Sequence, residues 1–314
     1  MRLKKECTGC KICKYFCPKG AVSVQENSNR FIRLIDEQKC IDCGICEQVC
    51  HLNGKILHES KCAYIAESRE FELKKHGASG GIASTFYKFG LENGYECIGT
   101  VFEDGRVVYK RLETVNDIKR ASGSKYVISN LDDLIKEIQQ KSDYKNQKIL
   151  FIGLPCHCAA IQRAFELKKM DVILVDIVCH GVCSEHLLKE ELLFNEIDIT
   201  QIGDIRFREK NNQYGLTIRN KNGEVIKKIK KENSSYMQAY EKYENVFEHC
   251  KECKYVQGSR VGDITLKDYV WKYGISNVLI NSKKGIDFWE KISEYIYHST
   301  YDIGKVVAED ERLG

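Results

Sequence analysis

The chain has only two prolines in 314 residues and carries neither a G-x-G-x-x-G run nor a P-loop. Without those fingerprints, a Rossmann or nucleotide-hydrolysing reading lacks its phosphate-binding loop. The scarcity of proline is a compositional habit and decides no function. The most apolar run, Val172 to Cys179, is short and broken by Asp176, so no membrane-spanning helix is expected. Met1 to Cys7 is basic but has no apolar h-region, so no signal peptide is expected. A net charge of +4 is small for this length and implies neither nucleic acid nor an anionic membrane as partner. No heptad or low-complexity linker stands out, and oligomeric state is not legible. The remaining composition, 43% hydrophobic and 30% charged, is that of a soluble globular protein. Its length suits a small module plus a domain with a full core.

What the chain has in excess is cysteine, sixteen in all. Eight fall in two runs that superimpose on a shift of 33 residues: Cys7, Cys10, Cys13 and Cys17, then Cys40, Cys43, Cys46 and Cys50. Each reads C-x2-C-x2-C-x3-C, which lets three thiolates cap one iron–sulfur cubane while the fourth reaches a neighbouring one. Zinc sites usually pair C-x2-C with a second, distant pair, so the triple spacing argues for iron. A disulfide framework is not needed at this size, and thiols without a secretory signal point to a reducing cytoplasm, in an oxygen-poor cell. Pro18 follows Cys17 as in bacterial-type ferredoxins, whereas His51 takes that place after Cys50. By the crossed ligation of that pattern, Cys7, Cys10, Cys13 and Cys50 hold one 4Fe–4S cluster, and Cys40, Cys43, Cys46 and Cys17 the other. Short β-like runs, 21–25 and 31–35, flank the loops. Residues 1–58 thus form a small α+β ferredoxin-like domain, and the chain moves electrons.

A bridge containing Cys62 leads to a second domain, 77–314, whose punctuation is α/β with a mixed sheet. Helices are expected at 82–92, 131–141, 235–249 and 285–297. Strands are expected at 95–102, 107–112, 148–152, 172–178 and 204–208, with a hairpin over 216–230 around Asn222-Gly223. Two apolar strands end in cysteine loops, at Pro155-Cys156 and at Cys179-His180-Gly181, and could share one rim at the carboxyl ends of the sheet. Cys250 and Cys253 complete a set of four thiols. From spacing alone these four could hold a third 4Fe–4S cluster, hold zinc, or be inert buried cysteines. Cys158 and Cys183 are spare thiols or substitute ligands, and Cys62 and Cys97 read as structural. Ser79-Gly80-Gly81 at a helix start offers N–H groups to a phosphate or a flavin carbonyl, or is a plain N-cap turn. Gly123-Ser124-Lys125-Tyr126 offers donors and a ring. His157 and His180 could relay protons or be ordinary loop histidines.

In order and spacing these pieces resemble the coenzyme F420 hydrogenase/dehydrogenase beta-subunit family. Ala78 to Gly81 looks like its serine–glycine flavin loop and Gly123 to Tyr126 like its GSKY segment. Gly153 to Ala160 resembles its G-x-P-C loop, and Asp176 to Ser184 its D-I-V-C-H-G segment. Cys250 to Cys253, with Gly262 to Asp268, resembles its C-x2-C followed by a D-I-T-L-x-D strand. Lys267 stands where the family often has Gly, Cys183 where it often has Pro, and the chain stops soon after Trp289. The resemblance implies FAD in the second domain and a third cluster on Cys156, Cys179, Cys250 and Cys253. It places Ser79, Gly80, Gly81, Ser124, Lys125, Tyr126, Pro155, His180, Gly181, Lys267 and Asp268 around the flavin, with His180 and Lys125 as candidate catalytic residues.

The expected activity is that of an oxidoreductase joining two-electron chemistry at FAD to one-electron carriers. Its partner is an electron donor or acceptor protein or a small redox coenzyme, F420 among them. An electron-transfer subunit serving a catalytic partner, with no substrate of its own, is the alternative. A flavin-free, cluster-bearing sensor is a third.

Overall fold

A computed structural model describes residues 7–54, 56–140, 147–209 and 213–313. The basic Met1–Glu6 start and position 141 at the end of one expected helix lie outside them. In the small unit, β1 (Val22–Asn27) pairs antiparallel with β2 (Arg30–Ile35). One-turn helices, Ile12–Tyr15 and Ile45–Gln48, follow the cysteine loops. The 33-residue repeat is kept at the backbone: Gly9 and Asp42 have φ of 72° and 52°, and Lys11 and Gly44 have 58° and 73°. Left-handed residues between successive cysteines make the loop wrap around a centre, the geometry that turns backbone N–H groups toward a bound anion.

The large domain is built on β3 (Cys62–Ser68), β4 (Tyr95–Glu103), β5 (Arg106–Leu112), β6 (Ser129–Asn130), β7 (Lys148–Gly153) and β8 (Ile173–Ile177). A three-stranded sheet of β9 (Ile202–Glu209), β10 (Gln213–Asn220) and β11 (Val225–Lys230) packs beside it. β12 (Ile264–Asp268), β13 (Ser276–Ile280) and β14 (Ile296–Tyr301) complete the main sheet, ordered β14-β3-β13-β12-β8-β7-β4-β5-β6. It is mixed: β12, β8, β7 and β4 run parallel, while β13, β3 and β14 are antiparallel additions. β7 explains the layering. Ile149 and Phe151 face one core with the helices Asp132–Gln140 and Pro155–Lys168, while Leu150 and Ile152 face another with Ile82–Glu92 and Lys283–Ile292. A strand buried on both faces has to read as a continuous apolar run.

Three expectations need correction. The segment after residue 58 is no plain bridge, since it supplies β3 and the helix Phe71–His76. The helix expected over 285–297 ends at Ile292, and β14 follows it onto β3. The helix expected over 235–249 is two, Ser235–Glu241 and Glu248–Lys251, separated where Tyr243 takes a φ of 61°. The small unit seats on the large domain rather than hanging from it. Ile12, Val22 and Val49 share a core with Ile135 and Ile161, Lys11 pairs with Asp132 at 2.5 Å, and Phe31 stacks on Phe247 at 4.6 Å.

Candidate functional site

A cleft of about 650 Å³ opens where β7, β8 and β12 end. Ser79, Gly81, Ser124, Lys125, Tyr126, His180, Gly181, Lys267 and Asp268 all line it. Gly80 lies underneath: it donates to Ser276 Oγ at 3.0 Å, and the Ala66 carbonyl would stand 2.5 Å from any Cβ placed there. Ser79 donates to the Ile275 carbonyl at 2.5 Å rather than capping the following helix, whose first turn has no side-chain cap. Ile82, Ala83 and Ser84, the first turn of that helix, line the cleft at the positive end of the helix dipole, with no side chain capping their N–H groups. Pro155 lies apart from the cleft, opening the helix after β7 and lining a second cavity.

The two candidate catalytic residues sit differently. Lys125 donates to the carbonyls of Arg120, Ala121 and Ser122 at 3.1, 3.4 and 3.4 Å, closing the end of the helix Val115–Ala121. Burial pushes its ammonium down to about 8. His180 is half exposed on the rim, with Nε2 3.3 Å from Asp310. Lys267, buried, approaches the other Asp310 oxygen at 3.8 Å. Burial alone would raise the Asp310 carboxyl, but His180, the Arg312 N–H and Lys267 hold it below the usual range. His157 is no loop residue: it is buried, bonded to Tyr109 at 3.0 Å, and pushed by burial down to about 3.

Behind the cleft, Cys156, Cys179, Cys250 and Cys253 line one small cavity with Tyr255, Arg260 and His249. Leu154, Cys179, Gly181 and Val182 border both spaces, so the thiol set and the cleft share a wall. Burial, then the neighbouring thiols, holds Cys156 well above the usual thiol range. That resistance to ionisation is what a bound cationic centre would relieve. Arg312 ties the set together, donating to the carbonyls of Cys179 at 3.1 Å and Cys250 at 3.4 Å. Cys158 and Cys183 are fully buried outside this cavity, Cys97 is core, and Cys62 lies on β3.

In the small unit, Cys17, Cys40, Cys43 and Cys46 line one surface hollow. Cys7, Cys13 and Cys50 lie close enough to Cys10 to add to the effect of burial in raising its thiol. Cys13 is pushed up to about 12. Cys10 is also near Cys156, so this set faces the large domain. Cys43 is exposed. Among the described residues, no three His, Cys, Asp or Glu side chains are placed to hold a single metal ion.

Several residues escaped the sequence reading. Arg208, paired with Asp268 at 2.5 Å, and Tyr240, stacked on Tyr126 at 4.7 Å, line the cleft. Nothing in their local sequence marks them. His249 and Tyr255 do carry a signal, since they flank the Cys250–Cys253 pair.

The family model for the C-terminal region of the coenzyme F420 hydrogenase/dehydrogenase beta subunit matches residues 146–305. The chain belongs to that family. A 4Fe-4S dicluster domain matches residues 6–53. Within this F420-family chain, residues 6–53 are therefore an iron–sulfur module of the electron-transfer kind. The coenzyme F420-dependent sulfite reductase of Methanocaldococcus jannaschii is 27% identical over 161 residues, 50% of this chain and 25% of that protein. A component of an ion-translocating oxidoreductase complex of Methanosarcina acetivorans is 46% identical over 44 residues, 14% of this chain and 15% of that one. The chain thus spans at most 25% of the length of these curated relatives. A polypeptide of the F420-reducing NiFe hydrogenase complex from Methanosarcina barkeri superimposes with a TM-score of 0.58 at 19% identity, covering 82% of this chain and 90% of that one. At that identity the likeness speaks for the fold. No helix among the described residues is long and apolar enough to cross a membrane.

Proposed function

We propose that this chain exchanges electrons between a two-electron hydride carrier and one-electron carriers, with FAD in the cleft and a third 4Fe–4S cluster on Cys156, Cys179, Cys250 and Cys253. The shared wall carries the reading: Cys179 and Gly181 border both the cleft and the thiol cavity. FAD, when bound, supplies the conversion between hydride chemistry and single-electron release. The residues fit it. The uncapped N-terminus of the helix Ile82–Glu92 offers N–H groups to a diphosphate, and the stacked pair Tyr126–Tyr240 gives the cleft an aromatic wall. Arg208 is held in place by Asp268 and adds a fixed positive charge. Around the thiols, Arg260 and Arg312 supply the positive charge that an anionic cluster needs, and His249 offers a buried imidazole. Of the small unit's two thiol sets, the Cys10 set faces this cavity and the Cys43 set faces solvent, which gives electrons an inner and an outer station.

The relative named as a coenzyme F420-dependent sulfite reductase makes a deazaflavin the first hydride carrier to try. An electron-transfer subunit serving a catalytic partner is the second reading. It is favoured by Val270 and Tyr273, which stand exposed at the mouth of the cleft where a partner would have to dock, with exposed Trp271 in the same loop. Anaerobic purification followed by counts of iron, acid-labile sulfide and extracted flavin tests the proposal. About twelve irons and one FAD per chain support it, whereas about eight irons and no flavin after reconstitution overturn it.

A further inference from the structure

His249 is 8% exposed, and neither of its ring nitrogens has a hydrogen-bond partner among the described residues. It lines the cavity of Cys156, Cys179, Cys250 and Cys253. Its ring is fixed by aromatic neighbours: Phe247 stacks on it at 5.4 Å, and Phe31 from the small unit lies 6.0 Å away. A buried polar group left unpaired is costly, and one on a residue that lines a ligand cavity calls for a partner in that cavity. The imidazole has one N–H to give, and the cavity is walled by sulfur.

We infer that His249 donates its N–H to a sulfur of the cluster held by Cys156, Cys179, Cys250 and Cys253, and so raises the reduction potential of that cluster alone. The inference rests on the third cluster proposed above. A hydrogen bond to a cluster sulfur favours the reduced, more negative state, so the cluster beside the flavin becomes the easier one to reduce. The aromatic bracket orients the ring, and the small unit takes part in that bracket through Phe31. His249 is a positioning and tuning residue in this account, not a ligand.

The test is redox titration of the anaerobically purified full chain, followed by electron paramagnetic resonance, for wild type, His249→Phe and His249→Gln. His249→Phe keeps the ring stack and removes the donor. It should lower the reduction equilibrium of one cluster about tenfold, equivalent to about 59 mV for one electron, and leave the other two unmoved. His249→Gln keeps an N–H and should restore most of the shift. In the metal-free protein, His249→Phe should be at least as stable to urea as wild type, because it removes two unpaired buried nitrogens. A role confined to packing predicts the reverse. His249→Phe with all its iron and three unmoved potentials overturns this inference alone. A wild-type protein that carries only two clusters overturns it together with the proposal beneath it.

Discussion

The Tyr255 hydroxyl lies 2.5 Å from His51 Nδ1, and the opposite nitrogen of that ring lies 3.0 Å from the Thr8 hydroxyl. Tyr255 follows Cys253 by two residues, His51 directly follows Cys50, and Thr8 directly follows Cys7. One buried imidazole thus ties two loops of the small unit to the third thiol set. The His51 that departs from the usual proline has become the joint between the two units. Tyr255→Phe keeps the ring and removes the bond. It should cost about 1–3 kcal/mol in urea unfolding at an unchanged denaturant slope, with iron content intact.

Cys253 lines the inner thiol cavity and belongs to neither of the two N-terminal cysteine runs. Cys253→Ala should remove about a third of the bound iron and spare the two ferredoxin-type clusters. Iron and sulfide analysis checks this, and unchanged iron would refute the ligand assignment.

Gly80 holds the serine–glycine loop against Ser276, with no room for a side chain. Gly80→Ala should displace the loop at a cost of about 1–3 kcal/mol. Flavin extracted per chain should fall several-fold with all iron retained. Full flavin content in this variant would show that the loop does not bear on the cleft.

Lys125 carries a pH signature. Burial pushes its folded-state value down to about 8, against about 10.4 for a free lysine. Between those values the unfolded chain holds the proton and the folded one has released it, so stability rises with pH through that window. The contribution is lost as pH falls toward 8, and below it both states are charged and the slope vanishes. Comparing urea midpoints of wild type and Lys125→Met from pH 7 to 10.5 isolates the effect. The two curves should run parallel below pH 8, and the wild type should gain on the variant above it.

The sequence announces the thiol runs because metal ligation fixes spacing along the chain. It announces β7 and β8 because strands buried on both faces must be largely apolar, Asp176 being the one charged interruption in β8. It hides β14, whose Ile296 falls four residues after Ile292 and extends the apolar stripe of the preceding helix, while Tyr297 to Thr300 are exposed at the sheet edge. The break at Tyr243 is equally silent, since a left-handed tyrosine carries no local mark. Of the cleft, the loops after the strands were legible as motifs. Arg208, Tyr240 and Asp310 arrive from elements far apart in sequence, and only the fold brings them to Asp268, Tyr126 and His180.

The placement of the inner thiols bears on how the protein matures. Cys156 and Cys179 follow neighbouring parallel strands whose register pairs Gly153 with Asp176. Strand spacing of about 4.8 Å sets the separation of those two loops from the sheet itself. Cys250 and Cys253 ride on a four-residue helix and the turn after it. On the proposed ligand assignment, filling the site asks one short segment to settle against two loops that the sheet already spaces.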